Sequence, residues 1–381
     1  NYESMSQQAL MEMVVSQMSD ENQAEFKDAK GNFLDIIEWN DLYFTDDGSV
    51  RDVVWTSEVG PGEKPEGQGK IQLEWFPDTV EEIWMTHRGF EGTIDCKKLP
   101  RRLREFYGTN NRFTGSLELE QLSNNVEVFK ANDNFLSGSL NFRDLSESIR
   151  KLCVCSNRFQ GPLCWKRESP LEDLSIGDNV FIGSLKVSEL PQGLLRFAAE
   201  ATTLDGFVDL ASLPPALEDL RIADNCFYGS ILCEKLPKSI QASHMNNNSF
   251  SGTIDLARLP KTMKTLKCAR NFLSGSICLT ELPPNLKHLN LSKNRFCGTI
   301  VLKSLPNSLV HLYLHENAFF GDLDLTQLPD SLKHVWLNRN TFEGTLTIGE
   351  RPGSVERLKV IKNNNWKDIR YSDGLNISDY D

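Results

Sequence analysis

The chain has 381 residues, 39% hydrophobic and 25% charged, with 21 Phe, 9 Cys and a formal net charge of −12. Such a composition packs an interior and excludes a disordered chain, while the acidic balance excludes general nucleic-acid binding. No run approaches the roughly 18 apolar residues of a spanning helix, so no membrane insertion is expected.

Charge is uneven along the sequence. Residues 1–75 hold 5 Lys/Arg against 16 Asp/Glu, whereas residues 259–366 hold 14 basic against 8 acidic residues. This asymmetry suits oriented docking.

In chain order, Ser6 to Lys27 reads as an amphipathic helix offering Leu10, Met13, Val14 and Ala24 for burial. Residues 1–45 are therefore predicted to be a helical N-terminal cap over the first coil. Val50, Val53 and Trp55 alternate as an opening strand, and Gly60 to Lys70 reads as an inserted loop before Ile71 and Leu73. From Phe76 the pattern L-P-x-x-L-x-x-L-x-L-x-x-N-x-F-x-G-x-L-x-L returns every 23 residues, with one step of 22 between Leu145 and Arg167.

Each slot of the repeat has a physical reading. The L-x-x-L-x-L core, as in Leu286, Leu289 and Leu291, ends in the alternation of a short strand with one buried face. Asn follows, from Asn111 through Asn271 to Asn363, where an amide can satisfy the backbone of the turn leaving the strand. Two residues later a Phe or Leu recurs, among them Phe113, Phe250 and Phe296, predicting a continuous aromatic spine. Gly then marks a turn. Alternating apolar residues after it, such as Leu323 and Leu325, predict a second short strand. No repeat buries its apolar face alone, so the stack is the folding unit.

These motifs resemble those of leucine-rich-repeat proteins over roughly residues 46–363. The Asn-x-Phe-x-Gly segment is similar to plant-type repeats, and the L-P-x-x-L variant to large repeat families of protists, kinetoplastids among them. The resemblance implies a leucine-rich-repeat solenoid of about 13–14 coils, with a parallel β-sheet on its concave side and a second short-strand sheet. Residues 364–381 are left as a C-terminal cap or tail, since Asn365 falls in the spine slot of the last coil.

An odd number of cysteines without a pairing framework reads as reduced thiols, so an intracellular setting is expected. The sequons at Asn247, Asn290 and Asn376 argue for the alternative, a secreted or cell-surface ectodomain. Cys153 and Cys155 share an outward strand face but lack the partners of a metal site. The outward slots also gather His288, His311 and His334 in one row, Tyr313 and Trp336 in the next, and His315 in a third. Trp84 and Tyr107 take equivalent slots near the other end. Exposed aromatic residues are typical anchors of protein interfaces, so these eight residues are the candidate partner-binding site. Three stacked His converge poorly on a metal. No phosphate loop and no nucleophile, base and acid constellation is present. The sequence thus reads as a non-enzymatic scaffold subunit that binds protein partners without cofactors. A receptor-like recognition ectodomain is the alternative, and an enzyme or metal-binding protein a remote third.

Overall fold

The L-x-x-L-x-L core of each repeat folds as a strand of three residues with its middle side chain buried, as in Glu105–Tyr107 and His288–Asn290. The computed structural model describes residues 4–57, 64–349 and 355–371. Gly60, the repeat start at Arg351 and the sequon at Asn376 lie outside the described residues. The chain divides into two units, Asn1–Gly183 and Ser184–Asp381. Both are built as parallel β-solenoid coils.

In the first unit, strands Val50–Val54, Glu82–Trp84, Glu105–Tyr107, Val128–Lys130, Lys151–Cys153 and Asp173–Ser175 pair side by side in chain order. In the second, Arg196–Ala198 is followed by Asp219–Arg221, Ala242–His244, Thr265–Lys267, His288–Asn290, His311–Tyr313, His334–Trp336 and Arg357–Lys359. Among the described residues each unit adds one such strand per coil.

The asparagine ladder joins one coil to the next. The Asn271 side-chain amide donates to the carbonyls of Met245, Cys268 and Ala269 at 3.0, 3.1 and 3.2 Å, while its Oδ1 accepts from the Phe250 N–H at 3.0 Å. Asn134, Asn179 and Asn317 repeat the same set of bonds. The residue before each ladder position is left-handed, with φ of 56° at Asp133 and 55° at Arg270. That turn aims the following amide into the stack. Thr202 stands in for Asn in one coil, its hydroxyl donating to Ala199 O at 3.2 Å. Behind the ladder, Phe90, Phe113, Phe159, Phe227, Phe250 and Phe296 are fully buried.

The strand expected after Gly forms at Leu323–Asp324, paired with Thr345–Ile348, but in other coils the second strand lies one step earlier. It covers the spine residue and the Gly, as in Arg112–Gly115 and Ser249–Gly252. The apolar pair after Gly closes in several coils as a 3-10 turn, such as Leu119–Gln121 and Leu256–Arg258. Gly115 and Gly252 have φ of +88° and +85°, a conformation that ends the extended run.

The N-terminal cap is two helices rather than one: α1 (Gln7–Val15) and α2 (Asp20–Ala24). The break falls where the Ser19 hydroxyl accepts from the Asn22 N–H at 3.3 Å and starts a new helix. As a result Met11 and Val15 join Leu10 and Val14 in the core, while Met13 is half-buried and Ala24 exposed. The inserted loop holds this cap. Gln68 O accepts from Ser19 N–H at 2.9 Å, and the Asn22 amide donates to it at 3.0 Å. Arg88, in the ladder slot of its coil, donates to Asn22 Oδ1 at 3.1 Å.

At the other end, the last coil is shifted by one residue. Asn363 takes the left-handed position with φ 57°. Asn364 then makes the ladder bonds, donating to Leu337 O at 3.3 Å and Val360 O at 2.6 Å. The shift puts Trp366, not Asn365, in the spine slot, where it stacks on Phe342 at 5.1 Å and 10°.

Phe250→Ala is expected to cost about 3–5 kcal/mol, as for other buried aromatic truncations. Asn271→Ala strands three carbonyls and one N–H, each unmade buried bond costing about 1–3 kcal/mol. Denaturant unfolding checks both, and a midpoint equal to the parent's in either variant contradicts the ladder and spine.

Candidate functional site

On strands His288–Asn290, His311–Tyr313 and His334–Trp336, the middle residues Leu289, Leu312 and Val335 point into the core. Their neighbours therefore face outward. Parallel pairing without stagger sets His288 beside His311 and His311 beside His334, and Tyr313 beside Trp336. The six second-unit residues read from the sequence form one contiguous patch. All six are half-buried by one another rather than fully exposed.

The rings interlock. His288 and His311 stack at 4.7 Å and 17°, and His334 lies 4.7 Å from His311 at 57°. Tyr313 meets Trp336 edge-on at 4.9 Å, and Trp336 meets His315 at 5.2 Å. The Tyr313 hydroxyl is 2.9 Å from His334 Nδ1, and Glu356 Oε2 is 3.4 Å from His334 Nε2. Lys359 caps the Trp336 face at 4.6 Å. Lys359 and Glu356 are missing from the sequence-based site, although Lys359 stands one repeat after Trp336 in the same outward slot. Three buried polar atoms here, His315 Nδ1, Trp336 Nε1 and Asn338 Oδ1, have no hydrogen-bond partner.

Trp84 and Tyr107 form a separate pair on the first unit, stacked at 3.7 Å and 22°. Their polar tips are tied down: Trp84 Nε1 donates to Glu82 at 3.1 Å and the Tyr107 hydroxyl to Glu105 at 2.9 Å. Burial and that bond to Glu105 push the Tyr107 hydroxyl up to about 12. Next along the row, Lys130 lies over the Tyr107 ring at 5.3 Å.

All nine cysteines are free thiols. Cys153 and Cys155 bring their sulfurs to 3.4 Å. The hydrogen bond between them lowers the Cys153 pKa and raises that of Cys155. Among the described residues, no group of three or more His, Cys, Asp or Glu is placed to hold a metal ion. Nor is any helix of these residues long and apolar enough to cross a membrane.

The 23-residue coils, ladder and spine define the leucine-rich-repeat fold. No protein-family model matches the chain, and no curated protein matches it. Among solved structures it is similar to a TDR receptor, with a TM-score of 0.61 and 19% identity, covering 84% of this chain and 63% of that one. It is also similar to the Arabidopsis receptor kinase HAESA in complex with the peptide hormone IDA and the co-receptor SERK1, with a TM-score of 0.58, 16% identity and coverage of 96% and 73%. A third is the plant peptide hormone receptor RGFR1 in complex with RGF2, with a TM-score of 0.52, 19% identity and coverage of 77% and 53%. The chain thus spans about half the length of RGFR1. At these identities the likeness is one of fold.

Burial, then the neighbouring His288, His334 and Lys333, push His311 down to about 4. Burial, then Lys267 and Lys287, also lowers His288. Both imidazoles are held neutral at pH 7, and His311 charges only near pH 4, well below an ordinary His. The unfolded chain binds protons at the usual value near 6.5, and the folded chain resists them, so stability falls as pH drops from about 6.5 towards 4. Thermal melts between pH 7 and pH 4.5 are expected to show this decline, and His311→Gln to flatten it. An identical slope in His311→Gln contradicts the assignment.

Proposed function

We propose that this chain is a recognition module that binds a protein or peptide segment across the His288, His311, Tyr313, His315, His334 and Trp336 face of its second unit. One observation carries the reading: three successive strands present interlocked aromatic and imidazole rings, neutral at His288 and His311, on the outer side of the sheet. Such a surface is rich in apolar contact and in hydrogen-bonding tips, the composition of interface anchors. The unpartnered atoms of His315, Trp336 and Asn338 add polar groups that the free chain leaves unused. Trp84 and Tyr107 provide a further aromatic contact on the first unit.

The receptor-like reading draws support from the solved structures, two of which are peptide-hormone receptors with their hormones bound. On this reading the chain works outside the cell, as a binding rather than a catalytic unit. The nine free thiols favour the second reading, an intracellular scaffold subunit. Mass analysis of the protein from its native source separates the two. Glycans on Asn247 or Asn290 support the ectodomain, and nine unmodified thiols with bare asparagines support the scaffold.

The face itself is tested by selecting binders from a displayed random peptide library. Tyr313→Ala/Trp336→Ala is expected to keep the parental melt, since neither ring belongs to the spine. It is expected to weaken selected peptides by roughly 30- to 1,000-fold, the loss of two hot-spot anchors. Tyr228→Ala, exposed on a second strand, serves as the control. Selected peptides that bind the double variant at parental strength overturn the reading.

A further inference from the structure

A chain of net charge −12 has carboxylates to spare, yet one place in the first unit gathers cations around a single ring. Arg112 and Arg158 occupy the outward slot before the spine residue, and Phe135 fills that slot in the coil between them. The guanidinium carbons of Arg112 and Arg158 lie 5.3 and 4.8 Å from the Phe135 centroid, and Lys64 Nζ of the inserted loop lies 4.8 Å from it. A ring has two faces, so at least two of these cations share one.

Their neutralisation is incomplete. Arg112 pairs with Glu66 at 3.3 Å, a carboxylate 83% exposed, and donates to the Lys64 carbonyl at 3.5 Å. Among the described residues, no carboxylate lies within ion-pair distance of Lys64 or Arg158. Burial lowers the Lys64 pKa; Asp133 opposes this, and Arg112 and Arg158 lower it further. The attraction of a ring face for a cation is modest at exposed sites and does not remove the repulsion between the cations themselves. Beside the cluster runs a groove lined by Lys70, Gln72, Thr93, Arg112, Thr114 and Phe135, with Glu74 and Glu91 also on its walls.

We propose that Lys64, Arg112 and Arg158 form a binding site for a phosphomonoester group, a dianionic tetrahedral oxyanion held beside Phe135. Guanidinium forks match pairs of phosphate oxygens, and an ammonium adds a point charge. A single carboxylate carries one charge and leaves the remaining cations opposed. The site lies wholly in the first unit and is independent of the His, Tyr and Trp face.

Calorimetric titration at constant ionic strength tests it, using inorganic phosphate, a phosphoserine peptide and the same peptide without phosphate. Saturable binding of the phosphorylated probes is expected, with none for the bare peptide. Arg158 is exposed and, among the described residues, makes no ion pair, so Arg158→Gln keeps the fold, checked by its melt. It is expected to weaken binding roughly tenfold or more, the effect of one charge-assisted hydrogen bond; Lys64→Gln is expected to act likewise. A phosphopeptide at least tenfold tighter than inorganic phosphate assigns the group to a modified partner, and equal affinities assign it to free phosphate. Absence of saturation by about 10 mM of either phosphorylated probe, or binding unchanged in both variants, overturns the site.

Discussion

A buried carbonyl at the end of a strand must find a donor, and here the donor is an asparagine side chain. Three carbonyls converge on one amide, two from its own coil and one from the coil before, as at Asn271. The carbonyl oxygen of that side chain then holds the N–H of a spine Phe. Leaving such groups unmade costs more than the net gain from any single bond, so the amide position dictates the rest of the repeat. It requires a left-handed residue before it and an inward Phe or Leu two residues after it. It also locks each coil in step with its neighbour.

That locking is what makes the outer surface chemically organised. Strands of three residues paired without stagger place equivalent slots side by side, so a residue type repeated at the sequence period becomes a row in space. His288, His311 and His334 become a column of imidazoles because His recurs in one slot. Burial, helped by nearby lysines, holds His288 and His311 neutral. On the first unit the same rule sets Arg112 and Arg158 on either side of Phe135 in slot order, turning a repeat position into a cation cluster.

Most of this was legible in the sequence wherever a residue's role depends on slot alone. The spine at Phe250 and Phe296, the ladder at Asn271 and the grouping of His311, Tyr313 and Trp336 all follow from counting in steps of 23. Counting failed where the chain departs from its own period. A one-residue shift hands the last ladder position to Asn364 and the spine slot to Trp366, which strict spacing assigns to Asn363 and Asn365. Pattern also failed where two conformations share one spacing: apolar residues two apart after Gly give a strand at Leu323–Asp324 and a 3-10 turn at Leu256–Arg258. The cap helix was misread because periodicity gives no weight to a serine that can start a second helix, so Met13 and Ala24 were favoured over Met11 and Val15. Lys64 was invisible for another reason, since an inserted loop has no slot in the repeat.

The manner in which the cap is secured bears on how the polypeptide emerges from the ribosome. Ladder bonds between coils reach only to the adjacent coil, with separations of 20 to 27 residues. The bonds that seat the cap are longer: Asn22 to Gln68 spans 46 residues, and the Gln72 amide to the Met13 carbonyl spans 59. The cap is therefore made well before the residues that seat it, and Met11, Val14 and Val15 wait for the inserted loop before they are covered. A later coil can be sealed as soon as its own ladder residue appears. The interval between synthesis of the cap and synthesis of the loop is the vulnerable stage, when apolar cap residues are open to aggregation or to shielding by chaperones.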